Sequence, residues 1–152
     1  SLFLYADLAN SDSFTTLLRN KHNEKMKKEK FHIEYIFDKV SRRSLWNHLT
    51  TPPGLSAWFA DDVIINGNMY VFKWNKAEQD AEVLSIKPEM SVRYRWTDEE
   101  DDTAYFEFQI HTHELTGSTS LQITDFAEPD EKRDSIDLWD TQVEELKRTL
   151  GI

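Results

Sequence analysis

In this 152-residue chain, few groups of histidine and acidic residues have a spacing that could bind a metal or catalyse a reaction. His111 and His113 are two residues apart, so on a strand they would share one face, with Glu114 as a third metal ligand. No further ligand follows at a dependable spacing, so we predict neither a metal nor a cofactor. His48 is expected to hydrogen-bond carbonyl groups near the end of a helix.

Three carboxylates lie near the ends of apolar segments, where burial could make one of them a general acid or base. They are Glu34, Asp38 and Asp125. No nucleophile accompanies them, because the sequence has no cysteine, no Gly-x-Ser-x-Gly turn and no glycine-rich phosphate loop. We therefore predict no catalytic residue. The acidic run at residues 98–102 lacks the spacing of a calcium-binding loop and is interpreted as a solvated loop.

An aromatic pair, Trp58 and Phe59, follows a Thr-Pro-Pro-Gly turn and precedes two aspartates in the stretch LTTPPGLSAWFADDV, residues 49–63. Each ring could bury on the order of 150–250 Å² of surface. We interpret the pair as a hydrophobic plug that seals one end of a curved sheet. If a cavity lies beneath that sheet, the same two rings would line its mouth.

The composition is that of an ordinary globular chain, with 39% hydrophobic and 30% charged residues. No apolar run approaches the ~20 residues of a membrane-spanning helix, so we expect no membrane insertion. The absence of cysteine excludes disulfides and suits a reducing cytoplasm, where we expect the protein. The net charge of −10 opposes binding to nucleic acid or to an anionic membrane surface.

The first 30 residues differ in charge from the rest of the chain. They carry six Lys/Arg and four Asp/Glu, whereas residues 31–152 carry twelve and twenty-four. We predict that residues 1–30 are an appendage outside the core fold and that residues 31–152 form one domain. Met26 resembles a start of translation, so residues 1–25 would be dispensable for folding. The apolar beginning SLFLY has to be buried somewhere, and a homodimer would provide such a place.

Residues 31–127 alternate apolar and polar side chains in short segments separated by turns, which is typical of antiparallel strands. The first segment, FHIEYIF, is followed by two short helices, of which the first begins after Ser41 and ends at the Thr-Pro-Pro-Gly turn. About six further strands follow. A tight hairpin turn is expected at Asn66-Gly67-Asn68, and a polar turn at residues 75–80.

The C-terminal segment changes to a helical period. Apolar residues three and four positions apart form one stripe: Ile136, Trp139, Val143, Leu146 and Leu150. Pro129 and Asp130 would begin this helix, and Gly151 would end it. The simplest packing wraps a curved antiparallel sheet of about seven strands around this helix, with the two short helices between strands 1 and 2 closing one end. The predicted fold class is therefore α+β.

One face of each strand is expected to point toward the C-terminal helix. The residues predicted on this face are Tyr35, Phe37, Phe72, Trp74, Leu84, Ile86, Tyr94, Trp96, Phe106, Phe108, Leu121 and Ile123. On the third and fourth strands, a one-residue shift of register would exchange the two faces. Arg93 and Arg95 would lie on the outer face. There they could pair with Glu107 and Gln109, or bind an anion or a protein partner.

Three stretches occur in order at plausible spacing: KVSRRSLWNHLTTPPGLSAWFAD, AEVLSIKPEMSVRYRW and LWDTQVEELKRTL. Together they resemble the START-like, helix-grip superfamily, and within it the branch named for the activator of the heat-shock-ninety ATPase. The resemblance covers roughly residues 31–150 and implies the helix-grip fold. It leaves the function open, because this superfamily includes lipid carriers, ligand sensors, aromatic cyclases and co-chaperones.

We predict a non-enzymatic binding module that holds a small hydrophobic or amphipathic ligand between the sheet and the C-terminal helix. The residues predicted to line the cavity are Tyr35, Trp46, Trp58, Phe59, Phe72, Trp74, Tyr94, Trp96, Phe106, Phe108, Ile123, Trp139 and Val143. The second hypothesis is a co-chaperone-like module that binds a protein partner through its surface. The third is an aromatic-cyclase-like enzyme, which would need a polar residue deep in the pocket.

Overall fold

A computed structural model of the chain describes residues 27–152. The proposed start at Met26 and nearly all of the predicted appendage lie outside these residues, so that division of the chain stays a prediction. The described elements, in chain order, are β1 Glu29–Ile36, α1 Arg42–Thr50, α2 Pro52–Ser56, β2 Asp62–Asn66, β3 Met69–Trp74, β4 Ala77–Lys87, β5 Ser91–Trp96, β6 Phe106–Thr112, β7 Thr119–Ala127 and α3 Lys132–Leu150.

The strands form one seven-stranded antiparallel sheet with the order β1-β7-β6-β5-β4-β3-β2. The α+β class, the two short helices between β1 and β2 and the long C-terminal helix are as predicted. The sheet starts two residues earlier than expected, because Glu29 and Lys30 already belong to β1. The predicted polar turn is also shorter, because β4 begins at Ala77. Gly67 adopts the positive φ that its hairpin turn requires.

Short-range capping positions the two helices that follow β1. The Ser41 hydroxyl accepts a hydrogen bond from the Ser44 N–H and caps α1, as predicted. The Thr51 hydroxyl caps α2 in the same way by accepting from the Gly54 N–H. Gly54 lies so close to α1 that a Cβ there would overlap the Asn47 carbonyl oxygen. A residue without a side chain is therefore required where α2 turns back against α1.

The last carbonyl groups of α1 lie inside the protein, where water cannot satisfy them. The Tyr94 hydroxyl donates to the Leu49 carbonyl oxygen at 2.7 Å, and the Tyr70 hydroxyl donates to that of Thr50 at 2.8 Å. Burial raises the pKa of Tyr94 well above its usual value, with a further contribution from Tyr70, so its hydroxyl stays protonated as a donor. Two strands of the sheet thereby fix the end of α1.

Two predicted inward residues of β4 differ from expectation. Leu84 is 47% exposed and Ile86 is 50% exposed. The register between β4 and β5 shifts between Val83 and Ser85, which is a β-bulge at Leu84 that ends the simple alternation. Beyond the bulge Ile86 is paired with buried Val92, but it remains half exposed. The other predicted inward residues belong to the core or pack against it.

The long helix α3 packs its apolar stripe against the sheet. Trp139, Val143 and Leu146 are buried, whereas Ile136 and Leu150 are partly buried beside the core. The helix begins at Lys132, later than the predicted Pro129–Asp130 start, and Gly151 ends it in the left-handed conformation as predicted. No helix among residues 27–152 is long and apolar enough to cross a membrane.

The acidic run at residues 98–102 is not simply a solvated loop. Glu99 accepts two hydrogen bonds from the Lys28 ammonium at 2.6 and 2.7 Å, and the side chains of Lys28 and Glu99 are only 9% and 6% exposed. Burial alone would raise the pKa of Glu99, but the Lys28 charge and its hydrogen bonds bring the pKa below the usual value. Asp98, Glu100 and Asp102 are exposed as predicted, whereas Glu99 departs from the prediction because its partner is 71 positions away in the sequence.

Replacing Gly54 tests the close approach of α1 and α2. The Gly54→Ala change should lower the free energy of unfolding by about 2–3 kcal/mol, because the added Cβ meets backbone atoms that cannot rotate away. Urea denaturation would measure this change. Ser56→Ala is the matched control in the same helix and should change stability by less than about 0.5 kcal/mol. Equal stability of the two variants would contradict the argument.

Candidate functional site

Phe59 occupies the centre of the aromatic core. Its side chain is 1% exposed. Its ring centroid lies within 6.5 Å of those of Trp58, Phe72, Trp74, Trp96, Phe106, Phe108 and Trp139. It stacks on Trp139 of α3 and on Phe106 of the sheet, each at a centroid distance of 5.9 Å and an interplanar angle of 23°. Phe59 therefore contacts both the sheet and α3 and fills the space that a ligand between them would use.

Trp58 anchors the same segment to α1. Its indole N–H donates to the His48 carbonyl oxygen at 2.7 Å, and its ring packs 5.7 Å from Phe108. The backbone of Phe59 is held as well, because the Trp74 indole N–H donates to the Phe59 carbonyl oxygen at 3.0 Å. The two rings that follow α2 differ in role: Trp58 fixes the segment to α1, and Phe59 enters the core rather than closing its end.

The residues predicted to line a cavity all belong to this core or border it. Ten of them are buried: Trp58, Phe59, Phe72, Tyr94, Trp96, Phe106, Phe108, Ile123, Trp139 and Val143. Three are partly buried: Tyr35, Trp46 and Trp74. The structure thus brings them together, and a role for them in ligand binding stays a prediction.

Asp125 is a buried carboxylate among these rings. It is 4% exposed, accepts a hydrogen bond from the Trp139 indole N–H at 2.9 Å, and accepts another from the Phe126 N–H at 2.7 Å. Burial raises the pKa of Asp125 above its usual value, although nearby positive charge, including Lys28, and both hydrogen bonds oppose this shift. The Asp125–Trp139 hydrogen bond is a direct polar link between the last strand of the sheet and α3.

A small pocket adjoins Asp125 at the edge of the core. Its volume is about 10 Å³, which is room for about one water molecule. It is lined by Trp96, Glu99, Ala104, Tyr105, Asp125 and Phe126. The ion-paired Glu99 and the buried Asp125 therefore contribute carboxylates to the lining, and three aromatic side chains and Ala104 form the rest. A larger ligand could enter here only if side chains moved.

Tyr35 provides a second polar link between the sheet and α3. Its hydroxyl donates to the Asp140 carboxylate at 2.7 Å, next to Trp139 in the helix. Partial burial and then the hydrogen bond to Asp140 raise the pKa of Tyr35, so the hydroxyl remains a donor. Both links attach to the same turn of α3, and near its C-terminal end the Thr149 hydroxyl donates to the Ala57 carbonyl oxygen at 3.4 Å.

The other sequence candidates for chemistry lie elsewhere. Glu34 and Asp38 are exposed, so of the three carboxylates only Asp125 is buried. His113 lies 3.8 Å from Glu34 on the surface. No cluster of three or more metal-ligating side chains exists among residues 27–152. His48 Nδ1 is 2.8 Å from the Ser44 carbonyl oxygen, which lies in the first turn of α1 rather than near the end of the helix, where the contact was expected.

The two outer-face arginines bind within the chain. Arg93 donates to Glu107 at 2.7 Å, as predicted, and its guanidinium lies 3.9 Å from the Tyr105 ring centroid. Arg95 does not contact Gln109. It donates instead to the carbonyl oxygens of Asp102 and Ala104, both at 2.9 Å, and thereby closes the loop after β5.

The sequence indicated Asp125 as a possible buried carboxylate but did not indicate its partner. One signal was available, because Asp125 follows Ile123 by two residues on a strand, which places both side chains on the same inward face. Trp139 lies on the apolar stripe of α3, and its indole N–H needs an acceptor once it is buried. A carboxylate and an indole facing each other across the core are natural partners.

The chain belongs to the START-like superfamily, since the sequence profile of the START-like superfamily domain matches residues 25–152. The solution structure of BfR322 from Bacteroides fragilis is similar, with 41% identity, coverage of 84% of this chain and 94% of that chain, and a TM-score of 0.61. The Aha1 dimer from Colwellia psychrerythraea is also similar, with 21% identity, coverage of 82% and 97%, and a TM-score of 0.69.

A third similar structure is MLL2253 from Mesorhizobium loti, with 19% identity, coverage of 79% and 95%, and a TM-score of 0.63. No curated protein sequence gives a significant match. The two likenesses below 25% identity establish a shared fold alone. They agree with the family assignment and do not identify a ligand, partner or reaction for this chain.

The raised pKa of Asp125 predicts a specific pH dependence of stability. The folded protein holds the Asp125 proton more tightly than the unfolded chain, so this residue's contribution to the free energy of unfolding should fall as pH rises from the unfolded pKa through the folded pKa. The Asp125→Asn variant has no titratable group at this position. The difference in unfolding free energy, wild type minus variant, should therefore decrease from pH 4 to pH 7 in urea titrations. A flat or rising difference would contradict the assignment.

Proposed function

We propose that this protein is a non-enzymatic binding module whose ligand is a small apolar or amphipathic molecule bound between the sheet and α3. The observation that carries the proposal is Asp125, a carboxylate buried among aromatic rings beside a small pocket. Membership of the START-like superfamily supports a binding module in general. The ring-rich core supports an apolar ligand, and Asp125 supports a polar group at one end of it.

Stability alone does not explain a carboxylate at this position. Removing a charged group from water costs several kcal/mol unless other groups compensate, and an apolar residue here would avoid that cost. Within residues 27–152, Asp125 accepts hydrogen bonds from Trp139 and Phe126, whereas two carboxylate oxygens can accept about four hydrogen bonds. A ligand with an N–H, O–H or ammonium group at the adjoining pocket would use the remaining capacity.

The ligand would have to displace Phe59, because that ring already occupies the interior between the sheet and Trp139. Phe59 belongs to the irregular segment after α2 rather than to a strand. Withdrawal of the ring would break the Trp74 hydrogen bond to its backbone but would leave the sheet ladder intact. Phe59 thus acts as an internal substitute for the ligand in the closed protein.

Helix α3 can also shift without loss of sheet structure. No backbone hydrogen bond joins α3 to a strand within residues 27–152. Its polar contacts with the rest of the chain are made by side chains, among them Trp139 to Asp125 and Tyr35 to Asp140. A ligand that replaced the hydrogen bonds of these side chains could be accommodated by a small movement of the helix.

The two alternatives have less specific support. A co-chaperone-like module was expected to use Arg93 and Arg95, but both side chains already bind groups within the chain. A cyclase-like enzyme needs a polar residue deep in the pocket, and Asp125 meets that single requirement. Its side-chain partner is an indole rather than a second acid or base, and Glu99, which lines the same pocket, is already ion-paired with Lys28.

Shortening Phe59 tests whether this ring competes with the ligand. Phe59→Leu should bind small aromatic compounds more tightly than wild type, because it leaves interior space while keeping an apolar side chain. The Phe59→Ala change should show a larger gain but lose about 3–5 kcal/mol of stability. Native mass spectrometry and thermal shifts with paired compounds, indole and its carbon analogue indene, would measure binding.

The matched control is Ile86→Ala, which shortens a half-exposed side chain and opens no space beside Phe59. Wild type should bind members of a broad panel of apolar and amphipathic compounds. The preference for indole over indene should be weaker in Asp125→Asn, because asparagine keeps only one of the two acceptor oxygens. Absence of any bound compound in wild type and in both Phe59 variants would overturn the proposed function.

A further inference from the structure

The two edge strands of the sheet are protected unequally. The edge strand β1 carries the charged residues Glu29, Lys30 and Glu34, which discourage pairing with another strand. The opposite edge strand, β2, has a charged residue only at its start, and its centre is Val63-Ile64-Ile65. Ile64 is 47% exposed and Ile65 is 38% exposed, so this edge presents apolar side chains to solvent.

The backbone of β2 also has hydrogen-bonding groups directed away from the sheet. In the β2–β3 hairpin, Asn66 is opposite Met69 across a two-residue turn, which is the hydrogen-bonded arrangement. Hydrogen bonding to the neighbouring strand alternates along a strand, so the backbone groups of Ile64 and Asp62 also bond to β3. The backbone N–H and C=O groups of Val63 and Ile65 therefore point to the free edge. Within the described part of the chain, the Val63 N–H donates to the carboxylate of its neighbour Asp62, at 2.9 Å.

We propose that β2 is a self-association surface, at which the β2 strands of two copies of this chain pair antiparallel about a two-fold axis at Ile64. Val63 of one copy then exchanges backbone hydrogen bonds with Ile65 of the other, and the reverse pair is identical by symmetry. The carbonyl of Ile65 replaces the Asp62 carboxylate as acceptor for the Val63 N–H. The two sheets become one continuous sheet.

The side chains of β2 are self-complementary in this register. Ile64 is opposite its own copy on the outer face, and Asp62 is opposite Asn66, so no two like charges face each other. A peptide of unrelated sequence would have no such match to both ends of the strand. This complementarity favours a second copy of the chain as the occupant of the edge.

The net charge of −10 gives the pairing a distinctive salt dependence. Two copies repel each other at long range, and salt screens this repulsion over about 10 Å at 0.1 M. Self-association should therefore strengthen as salt is raised. Binding of a basic peptide to the same acidic protein would weaken under the same change, which separates the two occupants experimentally.

A cysteine at position 64 tests the register directly, because the natural sequence has no cysteine. Residues opposite each other in a non-hydrogen-bonded antiparallel pair have Cβ atoms about 4.5–5.5 Å apart, close to the range that a disulfide spans. Full-length Ile64→Cys should form a covalent dimer under mild oxidation at least ~10-fold faster than Ile86→Cys. The control residue is 50% exposed but lies on the internal strand β4.

Sedimentation of the unmodified chain is the second measurement. Wild type should shift toward dimer between 0.05 and ~0.5 M salt, and Ile64→Lys should remain monomeric while Ile86→Lys behaves as wild type. A wild type that is monomeric at every concentration and salt, or equal crosslinking of the two cysteine variants, would overturn the proposal. Because Ile64 is not among the residues assigned to the ligand, loss of pairing leaves the ligand-binding proposal unaffected.

Discussion

The buried end of α1 constrains most of the remaining structure. A helix that ends inside a protein exposes carbonyl groups that need donors, and here the hydroxyls of Tyr94 and Tyr70 supply two of them from the sheet. Because α1 is fixed at its end, α2 can only turn back closely against it, which requires Gly54. This turn delivers Phe59 into the core. The backbone requirement of one short helix thus determines which ring fills the interior.

The filled interior changes what ligand binding would mean in this member of the START-like superfamily. A preformed cavity would bind by simple occupation, whereas here a ligand would compete with Phe59 for the surfaces of Trp139 and Phe106. The affinity would then be reduced by the free energy that holds the ring in place. Asp125 would provide a compensating polar interaction that Phe59 cannot make.

The sequence was most informative where structure is determined by neighbours along the chain. The Ser41 cap, the Gly67 turn and the α3 stripe depend on local spacing, and all three were predicted. Leu84 was misplaced because a bulge interrupts the alternation of β4 without any proline or glycine to indicate it. The Lys28–Glu99 pair, like the partners of Phe59 and Asp125, joins distant segments, so no local pattern could predict it.

The density of indole rings around Phe59 gives the protein an intrinsic optical signal. Trp74 and Trp96 are 6.2 Å apart at an angle of 52°, and the Trp139 indole is bonded to a carboxylate. Aromatic rings held in fixed tertiary packing give a near-ultraviolet circular dichroism signal that is lost when the packing is lost. Any rearrangement of the core would alter that signal, so opening of the core can be followed in real time without an attached label.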